Sequence, residues 1–257
     1  MPIKTIIFDL DGVLYRGEQA ISGSQDALKK IRNSGKQLFF LTNAGTMSRK
    51  DRAERLRKFG FEVQDDEVFT SSYGVAHYIS NAKRNSSVYC IGEAGLKEEL
   101  SSFGIFLTEQ KPDFVVVGLD RAVTYARIAK AYRLISSGSK FIATNMDSTF
   151  PVEDGLLPGA GTIVHALEYS TGIKPLVIGK PSMYLLDMIL KKCGNKKEEI
   201  LFVGDRIETD ILMAKKAGIL SALVLSGVCK KEDLKKISKD QKPDYIFNSV
   251  SDLVKIL

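Results

Sequence analysis

The sequence predicts an α/β protein, a doubly wound parallel sheet with a smaller α/β domain inserted into it. Three observations predict this. Short apolar runs alternate with amphipathic helical patterns along the 257 residues. The runs are apolar at successive positions, as in strands covered by helices on both faces. The middle of the chain holds a strand and helix set large enough to close a core of its own.

The first run, "KTIIFD" (4–9), has the β-branched and aromatic content of a strand. "SQDALKKIRNSG" (24–35) places Ala27, Leu28 and Ile31 on one face and stops at glycine, which predicts a helix. "QLFFLT" (37–42) is the next strand, and "SRKDRAERLRKFG" (48–60) is a helix that opens on a possible cap serine and ends in glycine. After the helix-like "SYGVAHYISNAK" (72–83) come the strands "SVYCIG" (87–92), "FVVVGLD" (114–120) and "KFIATN" (140–145), with helices at "YARIAKAYRLISSG" (125–138) and "GTIVHALEYSTG" (161–172). This places the inserted domain at 82–173 and the main domain at 1–81 and 174–257. The main sheet then resumes with "PLVIG" (175–179), "EILFVG" (199–204), "SALVLS" (221–226) and "DYIF" (244–247), interleaved with helices at 182–194 and 208–218.

Hydrophobic residues make up 44% and charged residues 26%, the balance of an ordinary globular protein rather than a disordered one. A net charge of +6 and a pI near 9.0 favour anions at long range, phosphate esters among them. The basic stretches "KKCGNKK" (191–197) and "KKEDLKKISKDQK" (230–242) lack interleaved aromatic residues, which argues against a nucleic-acid partner. Cys90, Cys193 and Cys229 form no C-x-x-C, so neither a zinc site nor a disulfide framework is expected, and a reducing compartment fits. No apolar run reaches the ~18 residues of a membrane helix, and Asp9 interrupts the N-terminal run, so the expected location is cytoplasmic, with no membrane partner.

Ligands of open parallel sheets bind at the carboxyl ends of the strands. Four apolar runs end there in polar residues: Asp9 with Asp11 just beyond, Thr42 with Asn43, Lys180, and Asp205. Any one tip could be a strand merely emerging into water. Two close acids, a hydroxyl, an ammonium and a third acid on one edge form a specific set with a coherent use. Crowded carboxylates need a cation, and oxygen-only ligation by few protein groups suits Mg²⁺, which makes Asp9, Asp11 and Asp205 the metal candidates. Thr42, the Asn43 backbone and Lys180 can hold phosphoryl oxygens. The set predicts Mg²⁺-assisted attack by a carboxylate on a small-molecule phosphate ester.

"DLDGVL", "LTN", "GKP" and "GDRIETD", in this order, resemble the motifs of the haloacid dehalogenase (HAD) superfamily of phosphohydrolases. The α/β insertion between the second and third motifs, including "ATNMDSTFPVEDGLLPGAG" (143–161), resembles the subgroup of NagD and 4-nitrophenylphosphatase-type enzymes with an α/β (C2-type) cap. The resemblance covers nearly the whole chain and implies a HAD-like, Rossmann-type core. It implies that Asp9 attacks phosphorus and becomes an aspartyl phosphate, and that Asp11 acts first as general acid and then as general base. It also implies Mg²⁺ held by the Asp9 side chain, the Asp11 backbone carbonyl and Asp205, with Asp210 orienting or balancing charge behind them. Gly12 and Gly17 around "VLYR" allow a sharp turn after the first strand, either an ordinary turn or the small flap that the resemblance implies near the site. Only Thr42 and Asn43 carry over from the second motif, because the following "AGTMSRK" varies. Asp120, Asn145 and Asp147 are candidate contacts to the leaving group, although solvent exposure is the commoner state of such residues.

"GIKPLVIGKP" (172–181) has six residues between its glycines and proline after its lysine, so it is no nucleotide loop. "GAG" (159–161) reads as a turn and helix start. His77 and His165 lie in amphipathic patterns away from ligand clusters and are expected to be structural. Two further function classes stay open at this level: a phosphorylatable signalling or binding module on a flavodoxin-like sheet, and charge-driven nucleic-acid binding. A homodimer through an exposed cap face is a further expectation.

Overall fold

Strands such as "TIIF" and "ILFVG" have no polar face, so they are stable only with helices on both sides of their sheet. The computed structural model describes residues 2–152, 155–235 and 237–256, without the side chains at 151 and 239. Glu153 and Asp154 of the cap-like segment, and Lys236 of the second basic stretch, lie outside the described residues.

In chain order, β1 (Thr5–Phe8) leads into β2 (Tyr15–Arg16) and β3 (Gln19–Ala20), then α1 (Ser24–Asn33), β4 (Gln37–Thr42), α2 (Arg49–Lys58), β5 (Val68–Thr70) and α3 (Ser71–Ala82). Next come β6 (Ser87–Ile91), α4 (Ala94–Ser102), β7 (Phe106–Leu107), β8 (Phe114–Val117), α5 (Tyr125–Ser136), β9 (Lys140–Ala143), β10 (Thr149–Val152), β11 (Gly155–Pro158) and α6 (Ala160–Thr171). The chain closes with β12 (Leu176–Val177), α7 (Tyr184–Cys193), β13 (Ile200–Gly204), α8 (Leu212–Ala217), β14 (Leu220–Val224) and β15 (Tyr245–Phe247).

The chain forms two compact units, one of Met1–Thr42, Ala53–Val68 and Lys180–Leu257, the other of Asn43–Arg52 and Phe69–Gly179. The first is built on a six-stranded sheet of order β15-β14-β13-β1-β4-β5. β1 pairs parallel with both neighbours, Phe8 lying opposite Val203 on one side and Phe40 on the other. The strand order reverses between β1 and β13, which is where such sheets open a crevice at their carboxyl edge. Below that edge, Ile6, Phe8, Leu38, Phe40, Leu201 and Val203 join Leu28 and Ile31 of α1 in the buried core. β2 and β3 form a small hairpin, Tyr15 opposite Ala20. Gly12 (φ 81°) and Gly17 (φ 56°) make the two turns that the flap reading requires.

The second unit has a five-stranded sheet of order β12-β9-β8-β6-β7, joined by parallel pairs. Its core sets Ile91, Val115, Val117 and Phe141 against Ile135 of α5 and Val164 of α6.

One expectation is overturned here. Residues 175–179 do not supply a strand of the main sheet: Leu176 and Val177 pair with Ile142 and Ala143 at the edge of the five-stranded sheet. Two further bonds, Ile178 N–H to the Ala143 carbonyl at 3.1 Å and Gly179 N–H to the Thr144 carbonyl at 2.7 Å, keep the chain beside β9 and the residue after it as far as Gly179. A short apolar run satisfies either sheet equally, so local composition does not select between them. The helix expected at 208–218 begins instead as a wide π turn, Ile207–Ile211, that continues into α8. Among the described residues, no helix is long and apolar enough to cross a membrane.

Candidate active site

The register sets Asp9, Thr42 and Asp205 just at or past the carboxyl ends of β1, β4 and β13. All three are buried. Lys180 reaches the same place, its Nζ lying 2.7 Å from Asp9 Oδ1 and 2.7 Å from Asp210 Oδ1. Unlike Asp9, Thr42 and Asp205, it does not follow a main-sheet strand.

Asp210 belongs to the group because the π turn folds it back. Its Oδ2 accepts the backbone N–H groups of Asp205 (3.1 Å) and Arg206 (3.0 Å). π turns inside helices are frequent at functional sites, where the extra residue redirects a side chain. Asp9, Asp205 and Asp210 each place one carboxylate oxygen within 4.8 Å of the others. The Asp11 carboxyl lies outside this trio and accepts a hydrogen bond from the Tyr15 hydroxyl at 3.4 Å.

Three buried carboxylates face one ammonium, which makes the site electrostatically short of positive charge. Burial pushes Asp205 up to about 7, and repulsion from Asp210 adds to it, against the opposing Val228 N–H bond and the Lys180 charge. Asp9 is also raised well above the usual carboxylate range, first by burial, with Lys180 opposing. For Lys180, burial alone would favour the neutral amine, but Asp210 and Asp9 outweigh it and hold the ammonium charged. Asp205 Oδ1 is buried and accepts no hydrogen bond. A buried carboxylate oxygen without a donor, beside two further carboxylates, fits a hard oxygen-seeking cation such as Mg²⁺.

The segment after β14 was not singled out by sequence reasoning, although it frames Asp205. Val228 N–H donates to Asp205 Oδ2 at 2.7 Å and Cys229 N–H to the Asp205 carbonyl at 3.1 Å. A Cβ on Gly227 would lie 1.9 Å from Asp205 Oδ2, so only glycine lets the loop come this close. The available signal was a glycine just past a strand on the edge where the acids collect. The loop also holds the flap: Ser226 Oγ donates to the Gly12 carbonyl at 2.7 Å, and the Arg16 guanidinium donates to the Ser226 carbonyl.

The remaining candidates belong to the second unit. Asn43 Nδ2 donates to both Asp147 oxygens (3.1 and 3.2 Å), and Asn145 Nδ2 donates to the Asn43 carbonyl at 2.9 Å. Asp120 pairs with Arg127 at 2.5 Å. Asp120 and Asn145 are 5% exposed, so the solvent exposure expected of such residues does not account for either. His165 bonds Glu168 at 3.0 Å and His77 packs on Tyr73 and Phe103, both within or between helices.

Comparison with known proteins matches residues 6–106 to the family model described as haloacid dehalogenase-like hydrolase, and residues 177–253 to a second HAD-like hydrolase model. The 5'-nucleotidase YutF of Bacillus subtilis is 34% identical over 98% of this chain and 97% of its own length. The structure of a p-nitrophenyl phosphatase from Archaeoglobus fulgidus superposes with a TM-score of 0.94 at 38% identity, covering 100% of both chains. A glycerol phosphate phosphatase from Mycobacterium tuberculosis, solved in complex with magnesium, gives a TM-score of 0.90 at 32% identity over 99% of this chain and 78% of the other.

Proposed function

Because the chain belongs to the haloacid dehalogenase-like hydrolase family, we propose that it is a Mg²⁺-dependent phosphomonoesterase of small molecules with Asp9 as nucleophile. The observation that carries this reading is the buried group of Asp9, Lys180, Asp205 and Asp210 at the point where the sheet order reverses. The relatives described above are named for hydrolysis of phosphate monoesters, which favours turnover over a signalling module.

An Asp9 oxygen forms the bond to phosphorus while the bond from phosphorus to the ester oxygen breaks, and Asp11 gives its proton to the departing alcohol. Asp11, now a carboxylate, then takes a proton from the water that attacks the aspartyl phosphate, releasing Asp9 and inorganic phosphate. Thr42 Oγ, the Asn43 backbone and the Lys180 ammonium hold the phosphoryl oxygens and offset their charge. The Asp9 and Asp205 side chains and the Asp11 carbonyl would hold Mg²⁺, which supplies the charge compensation an anion needs to attack an anion. Substrate choice falls to the inserted domain, 82–173 on the sequence reading, with Asn145 and Asp147 as its candidates and Asp120 a structural partner of Arg127.

The test is a panel of 4-nitrophenyl phosphate, glycerol phosphate, a nucleoside 5'-monophosphate, phosphoglycolate and a hexose phosphate, with Mg²⁺ or with chelator. Phosphate release from at least one ester that stops on chelation is the expected result. No release from any of them with Mg²⁺ present refutes the reading.

The acid cluster also makes a prediction about stability. A carboxyl whose folded pKa is raised holds its proton longer than the unfolded chain does. Metal-free stability therefore falls as pH rises from the ordinary carboxylate range to about 7, where Asp205 ionises in the folded state. Mg²⁺ competes with these protons, so its affinity rises over the same interval. In a thermal melt at pH 8, Mg²⁺ at a hundred times its Kd is expected to raise the Tm by roughly 5–10 °C. At pH 5 the rise is expected to be much smaller.

A further inference from the structure

Tyr15 is fully buried, and a phenol taken out of water needs a hydrogen-bond partner. Its hydroxyl donates to Asp11 Oδ2 at 3.4 Å, across the turn that Gly12 makes. The Gly12 N–H donating to the Tyr15 carbonyl at 2.8 Å closes the same turn. The ring itself is held on two sides. Phe59 lies with its centroid 5.2 Å away, and the Arg55 guanidinium sits 5.4 Å from the Tyr15 centroid and 5.3 Å from that of Phe59. Arg55, on α2, also donates to the Gly17 carbonyl at 2.7 Å and pairs with Glu18 at 3.1 Å. The helix thus fixes the hairpin turn, the hairpin and Phe59 fix the ring, and the ring carries a hydroxyl to the Asp11 carboxyl. At 3.4 Å, against about 2.7–2.8 Å for a close hydroxyl bond, this contact is a long one.

We propose that Tyr15 is a positioning residue for Asp11: its buried hydroxyl, held in place by Arg55 and Phe59, fixes the direction in which the Asp11 carboxyl presents its proton to the leaving group. The inference rests on the phosphatase reading and on Asp11 as general acid. In the protonated acid, Oδ2 is the carbonyl oxygen that accepts from Tyr15, which leaves Oδ1 to carry the proton. That O–H bond breaks and the alcohol O–H bond forms as the ester oxygen leaves phosphorus.

Leaving groups separate positioning from mere packing. 4-Nitrophenolate departs with little help from an acid, whereas an alkoxide requires its proton. Because kcat/KM reports the steps up to departure of the leaving group, it is to be measured with Mg²⁺ for 4-nitrophenyl phosphate and for the alkyl phosphate that the wild type hydrolyses fastest. Tyr15→Phe keeps the ring, so its Tm should stay close to that of the wild type. Its ratio of alkyl to aryl kcat/KM is expected to fall about tenfold or more, part of the 10²–10⁴-fold that general acid catalysis typically contributes. An equal loss on both esters, or no loss on either, overturns the proposal and leaves the phosphatase reading standing. So does a wild type that hydrolyses the aryl ester and no alkyl ester. A wild type inactive on every ester overturns both together.

Discussion

Asp9→Asn is expected to lose at least about 10³-fold in kcat on any ester the wild type hydrolyses, because an amide cannot form the phosphoryl bond. The substitution is close to isosteric and removes a carboxyl that burial raises well above its usual range. Lys180 keeps Asp210 at 2.7 Å as an ion-pair partner. The variant should therefore melt within a few degrees of the wild type at pH 8, and a loss of activity in a folded protein would locate the defect in chemistry. Full Mg²⁺-dependent activity in a preparation free of deamidated protein would remove Asp9 from the nucleophile's role.

Lys180→Met should have the largest effect on stability. The ammonium is 3% exposed and lies 2.7 Å from each of two carboxylates that are themselves buried. A buried charge that loses its partner costs about 3–5 kcal/mol, and methionine fills nearly the same volume, so the cost reads as electrostatic rather than as a cavity. In urea unfolding at pH 8 the midpoint should drop accordingly. At pH 5 the penalty should shrink, because Asp9, already raised and now without its cation, takes up a proton and becomes neutral. Activity should fall by a further two orders of magnitude or so, since the same ammonium is assigned to the phosphoryl oxygens. Equal midpoints for variant and wild type at pH 8 would show that the pair contributes nothing to the fold.

The carboxyl edge of the main sheet was legible because strand composition and polar tips are both local signals. "IIFD" and "ILFVGD" state where a buried strand ends and what it carries out of the core, and β1 and β13 are neighbours in register. Lys180 was legible as a member of the site but not by its route, since "PLVIG" pairs with β9 and no local property encodes the choice of sheet. The part Asp210 plays could be anticipated from the motif, yet its burial against Lys180 depends on a π turn that no periodicity announces. Tyr15 passed as part of a flap because its role is a distance across a turn rather than a pattern. α4, with only Leu96 and Leu100 as large buried apolar residues, gave too narrow a stripe to register as a helix. β10 and β11 carry no hydrophobic alternation that would have marked them as paired strands.

The central claim is that an Asp9 oxygen takes the phosphoryl group. Mixing enzyme with its best ester and Mg²⁺, quenching in acid within milliseconds and reducing with borohydride converts an aspartyl phosphate to homoserine, which peptide mass spectrometry locates. Homoserine at position 9 is the predicted result. Homoserine at position 11 or 205, or rapid phosphate release with no trapped acyl phosphate at any carboxylate, would contradict the account.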